Sequence, residues 1–201
     1  MLPGSIIAFT LTLAGGQSVA DVRQLYDAGR YQDVVRATDE VAAEADMDTA
    51  SRLQFLAAQS LAKLKDADGA RRAFLRLVEN GEPAWGAIGT SAVQVLDRQL
   101  DDALASADQA VREGGSVPEA YYQRGVVLMS RKDYGDAAGA FAKAVQLDPT
   151  FAAAYYYAGL ANSRIKRIDL TANNFEMFVK LAPHAPERPE VESILRTLRG
   201  R

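Results

Sequence analysis

PEAYYQRGVVLMSRKDYGDAAGAFAKAVQLDPTF, residues 118–151, runs directly into AAAYYYAGLANSRIKRIDLTANNFEMFVKLAPHA, residues 152–185. At a spacing of 34 residues Tyr121, Gly125, Phe141 and Pro149 fall on Tyr155, Gly159, Phe175 and Pro183. A self-similar period of this length marks a stacked array of small units, each unable to bury its apolar face alone. Within each copy apolar residues recur at helical spacing in two runs. Arg131-Lys132-Asp133 separates the first pair of runs and Asp148-Pro149 ends it; Lys166-Arg167 and Ala182-Pro183 do the same in the second copy. Charged breaks and a closing proline are helix stop signals. Each copy therefore reads as a helix hairpin, and the chain as an all-α solenoid.

Weaker copies extend toward the N-terminus. Tyr31, Ala67, Leu100, Tyr134 and Ile168 each open the second helix of a pair, at intervals of 36, 33, 34 and 34. About five hairpins follow, over residues 21–48, 51–83, 84–117, 118–151 and 152–185. The connections Asn80-Gly81-Glu82-Pro83 and Gly114-Gly115-Ser116-Val117-Pro118 are turn chemistry, so residues 21–201 form one continuous domain. Pro186 to Arg201 closes the array with a helix at about 189–199. Pro189 suits a first helical position, Glu190 and Glu192 lie near the positive end of its dipole, and Arg196 and Arg199 near the negative end. Val191, Ile194, Leu195 and Leu198 form one apolar stripe that covers the last hairpin, as a terminal cap must; a membrane-surface helix is the competing reading.

The residues of these units resemble the tetratricopeptide repeat (TPR) family, whose helical unit carries an aromatic, Leu-Gly, a second aromatic, Ala, an aromatic and Pro at fixed offsets. The copy at Pro118 supplies Tyr121, Gly125, Leu128, Tyr134, Ala137, Phe141, Ala144 and Pro149, and departs at Arg124, where the family prefers Leu. The next copy keeps Tyr155, Gly159, Phe175 and Pro183 but has Asn162, Thr171 and Phe178 where an aromatic and two alanines are usual. The resemblance implies a right-handed superhelix whose first helices line a concave face. Independently of the family, Gly125 and Ala137 present almost no side chain and let two helices pack closely. Phe141 and Phe175 fill the space between units, and Pro149 and Pro183 stop the second helices.

Net charge is -3 and nearly half the residues are hydrophobic, at 48%. That composition builds a core and offers no general attraction to nucleic acid or anionic membranes; Arg71-Arg72 and Arg196, Arg199 and Arg201 read as solvated helix faces. The chain has no cysteine, which excludes disulfides, thiolate metal sites, cysteine nucleophiles and a lipidated cysteine anchor. Met1 to Ala20 contains no charged side chain, holds an apolar stretch from Ile6 to Ala14, and closes with Ser18-Val19-Ala20. The run is short for a membrane span and suits a secretory signal peptide cleaved after Ala20, although the usual n-region Lys or Arg is missing. Export to a bacterial periplasm is the expectation, with the cytoplasm if the leader is kept. Cleavage would leave the first helix short, about Val22 to Ala28.

Catalytic chemistry finds no foothold. The sole histidine, His184, sits in a proline-bounded turn, and there is no His-Glu-x-x-His, Gly-rich phosphate loop or Gly-x-Ser-x-Gly elbow. Asp101-Asp102 and the Asp66 and Asp68 pair open predicted second helices, where carboxylates meet unsatisfied N–H groups. Asp46 and Asp48 lack the further ligands of a calcium loop and read as a turn. No enzyme, metal or cofactor is expected.

The expected function is that of a protein-interaction scaffold. Positions one period apart form ladders across the concave face implied by the resemblance: Phe55, Ile88, Tyr122, Tyr156; then Gln59, Ala92, Val126, Leu160; then Ala62, Val95, Met129, Ser163, with Trp85 at a groove position before the first. Tyr122, Tyr156, Val126, Met129, Leu160, Trp85 and Phe55 are the candidate groove residues. They are largely apolar and aromatic, which suits an apolar or aromatic segment of a protein partner, in envelope assembly or secretion if the chain is exported. The family variant that clamps a peptide carboxylate uses Lys, Arg and Asn on the first two ladders, and this chain has none there. Two readings compete. Strong curvature would bury the first ladder as core, and the groove would receive a second copy of the chain or its own N-terminal segment, making a self-associating structural subunit. A small-molecule pocket or an enzyme using the groove is the remote alternative.

Overall fold

The computed structural model describes residues 18–43, 45–80 and 82–200, so residues 1–17, where most of the expected leader falls, lie outside the described residues. Among those described, eleven helices and no strands are found: α1 (Val19–Asp27), α2 (Tyr31–Ala42), α3 (Met47–Lys63), α4 (Ala67–Asn80), α5 (Pro83–Leu96), α6 (Leu100–Glu113), α7 (Pro118–Arg131), α8 (Tyr134–Leu147), α9 (Ala152–Arg164), α10 (Ile168–Leu181) and α11 (Arg188–Arg199). Tyr31, Ala67, Leu100, Tyr134 and Ile168 open α2, α4, α6, α8 and α10. The helices form an all-α solenoid of five hairpins and a closing helix.

The hairpin turns share one device that composition does not advertise. Gly29, Lys65, Arg98, Lys132 and Lys166, each two residues before a second helix, adopt positive φ of 72°, 63°, 60°, 69° and 60°. The following amide reaches back five residues in every case: Arg30 to Leu25, Asp66 to Leu61, Gln99 to Gln94, Asp133 to Leu128 and Arg167 to Asn162, at 2.9 to 3.0 Å. This left-handed helix stop satisfies carbonyls that the helix end would orphan. Only the first copy uses glycine, the residue best suited to such a φ.

Carboxylates open several helices. Asp46 accepts from the Thr49 amide at 2.9 Å and Asp66 from the Gly69 amide at 2.8 Å, so these acids are helix caps. Inside each hairpin a ring lies on bare backbone. A Cβ added to Gly125 would come within 2.6 Å of the Phe141 ring, and one added to Gly159 within 2.5 Å of the Phe175 ring. Neighbouring units then stack ring on ring: Phe141 lies against Tyr157 with centroids 5.7 Å apart. Val191 and Leu195 of α11 join Phe175 and Phe178 in the last apolar cluster, which covers the end of the array.

Candidate concave site

The first ladder turns inward. Phe55, Trp85 and Tyr122 are 2%, 0% and 2% exposed, and Ile88 is fully buried as well. Phe55 packs 6.1 Å from Trp85 and 6.2 Å from Tyr122, and Tyr122 stacks on Phe151 at 4.9 Å. Phe55 and Trp85 are therefore core side chains and not groove anchors, and Tyr122, equally buried, only borders the inner face from within the core, a correction to the groove reading in favour of the competing core one. The cause is curvature: the first helices converge, and large side chains at this register fill the space between them. The Trp85 indole N–H is satisfied by Asp48 at 2.9 Å, as a buried indole requires.

What stays open is a recess of about 300 Å³ on the concave side of α3, α5, α7 and α9. Its walls are the apolar side chains of Ala62, Ala92, Val95, Leu96 and Val126. Gln59, Gln123 and Lys63 supply polar groups, and Tyr122 and Tyr157 border it. Gln59, Ala92 and Val126 of the second ladder and Ala62 and Val95 of the third thus line the recess, while Phe55 and Ile88 of the first lie beneath. A hollow of this size is at the lower end of ligand pockets, generally about 300 to 1,000 Å³; it seats one or two side chains and not the length of a helix.

Of the remaining candidates, Val126 lines the recess, and Met129 is half-buried against the central core. Leu160 is half-buried against the last apolar cluster, away from the recess lining. Tyr156 turns toward α10, with its ring 5.1 Å from Phe178, and burial pushes its hydroxyl up to about 12. Tyr157 and Gln123, each one residue beyond a first-ladder position, were missed because ladder counting follows a single register. Gln123 is buried and donates to the Ser91 hydroxyl at 3.2 Å.

The concave face also meets itself. Arg23 of α1 donates to Asp148, lies 3.6 Å from a Glu119 oxygen, and holds its guanidinium 5.4 Å over the Phe151 ring. Arg52 of α3 donates to the same Glu119 oxygen at 2.7 Å, while Glu119 Oε2 finds no hydrogen-bond partner. Burial raises the Glu119 carboxyl, with Arg52 and Arg23 partly offsetting it. Farther along, Lys63 pairs with Glu187 at 2.8 Å, Ala153 packs on the Val22 and Tyr26 cluster, and a Cβ on Gly29 would overlap the Pro186 ring. Tyr26, Asp27, Tyr31, Lys63, Tyr156, Tyr157 and Glu187 border a cavity of about 20 Å³ there. Asp27 is pushed up to about 7, first by burial and then by Asp148, against the pull of Arg23. The first repeat thereby closes on the turn before α9 and the segment before α11.

This is a curved helix-hairpin solenoid with a closed seam and a small apolar recess on its inner face. The tetratricopeptide repeat family model matches residues 97–150, the end of the third hairpin and nearly all of the fourth. No curated protein sequence matches it. Among solved structures it is similar to a thermophilic TPR protein of Thermus thermophilus, at 18% identity and a TM-score of 0.62 over 91% of this chain and 97% of that one. It is also similar to YrrB, described as a TPR protein with an unusual peptide-binding site, at 18% identity and a TM-score of 0.53, covering 87% of this chain and 90% of that one. The first TPR of Spaghetti (RPAP3), bound to an HSP90 peptide, matches at 17% identity and a TM-score of 0.53 over 59% of this chain and 94% of that one. At these identities the likeness concerns the fold.

Proposed function

We propose that the protein is a non-catalytic scaffold that binds a peptide segment of a protein partner by seating one apolar or aromatic side chain in the concave recess. The observation that carries this reading is the recess itself: apolar walls from Ala62, Ala92, Val95, Leu96 and Val126 beside the amides of Gln59 and Gln123. An apolar seat supplies affinity, roughly 25 cal/mol per Å² of apolar surface covered, and side-chain amides can meet the backbone of an extended segment. Peptide-bound neighbours of the same fold, such as the Spaghetti domain with its HSP90 peptide, support the reading of this fold as a peptide binder. Export to a bacterial envelope belongs to the same proposal and rests on the charge-free leader. Cleavage after Ala20 would remove Ser18, whose hydroxyl and Asp21 form the capping box of α1; intact mass of the secreted chain decides whether it begins at Asp21.

The recess is tested by selecting displayed random peptides on the full chain and repeating the selection on Ala92→Glu, first shown to melt like the parent. Peptides sharing one large apolar residue, retained by the parent and lost by the variant, are expected. Equal retention by both would move binding off the recess.

A further inference from the structure

The seam and the recess share walls. Lys63 and Tyr157 line both the recess and the small cavity at the seam. Gln59, another recess residue, accepts from Tyr26 of α1 at 3.2 Å and from Tyr122 at 3.4 Å. Any parting of the first repeat from α9 and the segment before α11 therefore reshapes the recess.

The seam is also built differently from the other contacts between units. In a solenoid each unit ordinarily touches only its neighbours, and stability is close to a sum of neighbour terms. Here distant units meet: Arg23 of the first hairpin with Asp148, Thr150 and Glu119 of the fourth, and Lys63 of the second with Glu187 beyond the fifth. Arg23, Asp148, Lys63 and Glu187 remain partly exposed. Partly exposed ion pairs are weak and screened by salt. Glu119 is buried with one oxygen unpartnered, which costs the closed form free energy. The N-terminal side has its own apolar cluster of Val22, Tyr26, Val34, Ala37, Leu53 and Leu56. The C-terminal side has another around Phe175, Phe178 and Val191. Apart from the Ala153 contact on the N-terminal cluster, each can keep its packing while the two move apart by small rotations spread over the hairpins between them.

We propose that the first repeat is a gate on the concave recess, latched by the Arg23–Asp148 ion pair and steadied by the neighbouring Lys63–Glu187 pair, and that the latch opens to let a partner segment lie along the inner face. The gate rests on the reading of that face as the binding site. Closed, the recess admits a side chain; open, Phe151, Tyr157 and the edge of Tyr122 become a continuous apolar strip. A partner that binds only the open form shifts the population toward it by its differential affinity.

Because the chain has no cysteine, a reporter pair is easily placed. Gln32→Cys on α2 and Ser193→Cys on α11, both exposed, carry spin labels in the otherwise unaltered full chain. One distance is expected in about 0.05 M salt, and a second, longer one in about 1 M salt, where the Debye length has fallen to about 3 Å. Adding Arg23→Gln should bring out the longer distance at low salt, with a severalfold rise in the fluorescence of the dye ANS. If Arg23→Gln loses helix signal, the salt series on the intact seam decides. A single unchanged distance under every condition would overturn the gate while leaving the peptide selection untouched; a moving distance without any selected peptide would remove the binding reading and keep the gate.

Discussion

In the fourth hairpin Phe141 lies on the backbone of Gly125 and stacks against Tyr157 of the next unit, whereas at the seam the first two hairpins meet the end of the fourth and the segment before α11 through guanidinium, ammonium and carboxylate groups over one ring and one proline. The two contacts differ in what they resist. Ring on backbone is close-packed and indifferent to salt or pH, so it fixes the solenoid's shape. Charge on charge, partly wet, responds to both. The molecule thus combines a rigid spine of hairpins with one long-range contact that solution conditions can tune.

The largest effect is expected where the hairpin contact is broken. Gly125→Leu forces the Phe141 ring away from the α7 backbone and should lower stability by about 2 to 3 kcal/mol, read as an earlier urea midpoint at every salt concentration. Glu119→Ala breaks the seam instead, leaving Arg23 and Arg52 without their shared carboxylate. Because both arginines remain partly wet, a smaller loss of about 1 to 2 kcal/mol is expected, and it should shrink as salt rises. A salt-independent loss at Glu119 would erase the distinction between the two regions.

Asp27 sharpens the comparison through pH. Its carboxyl, held near 7 in the closed structure by burial, favours the protonated form there. Stability contributed in that state is full below the ordinary carboxylate range and is lost as pH rises through about 7. The neighbours facing it are Arg23 on α1, Tyr31 on α2, Lys63 on α3, Asp148, Tyr156 and Tyr157 around α9, and Glu187. Asp148, held below its usual value by hydrogen bonds and Arg23, acts with the opposite sign only at more acid pH. Asp27→Asn should therefore raise the melting temperature near pH 8 by a few degrees and leave it little changed near pH 4; an equal shift at both would place Asp27 outside the seam's electrostatics. The smallest effect belongs to the turns. Lys132→Gly relieves a side chain held at φ 69° and should add about 0.5 to 1 kcal/mol, measured as a later unfolding midpoint with the seam unaltered.

The hairpins were legible because repetition writes the same constraint several times. The period of 34 located Tyr134 and Ile168 as helix openers, and the openers in the weaker copies followed by counting. The left-handed turns were not, since four of the five carry Lys or Arg at a position where glycine would have been the signal. On the concave face, the register of the second and third ladders led to Ala62, Ala92, Val95 and Val126, which do line the recess. It could not tell that Phe55 and Trp85 lie beneath the surface, because periodicity reports which face a residue occupies and not how sharply the helices converge on that face. The seam was less visible still: Arg23 and Asp148 lie 125 residues apart, and only the accumulated curvature of several units brings them together.

Hydrogen exchange along the full chain tests closure most directly. With the first repeat docked, the amides of α1 (Val19–Asp27) should be protected at low salt to a degree approaching those of α9. They should lose that protection in about 1 M salt while α7 and α8 keep theirs. Exchange of α1 at the unprotected rate already in low salt would contradict the closed seam, and with it the account of a latched inner face.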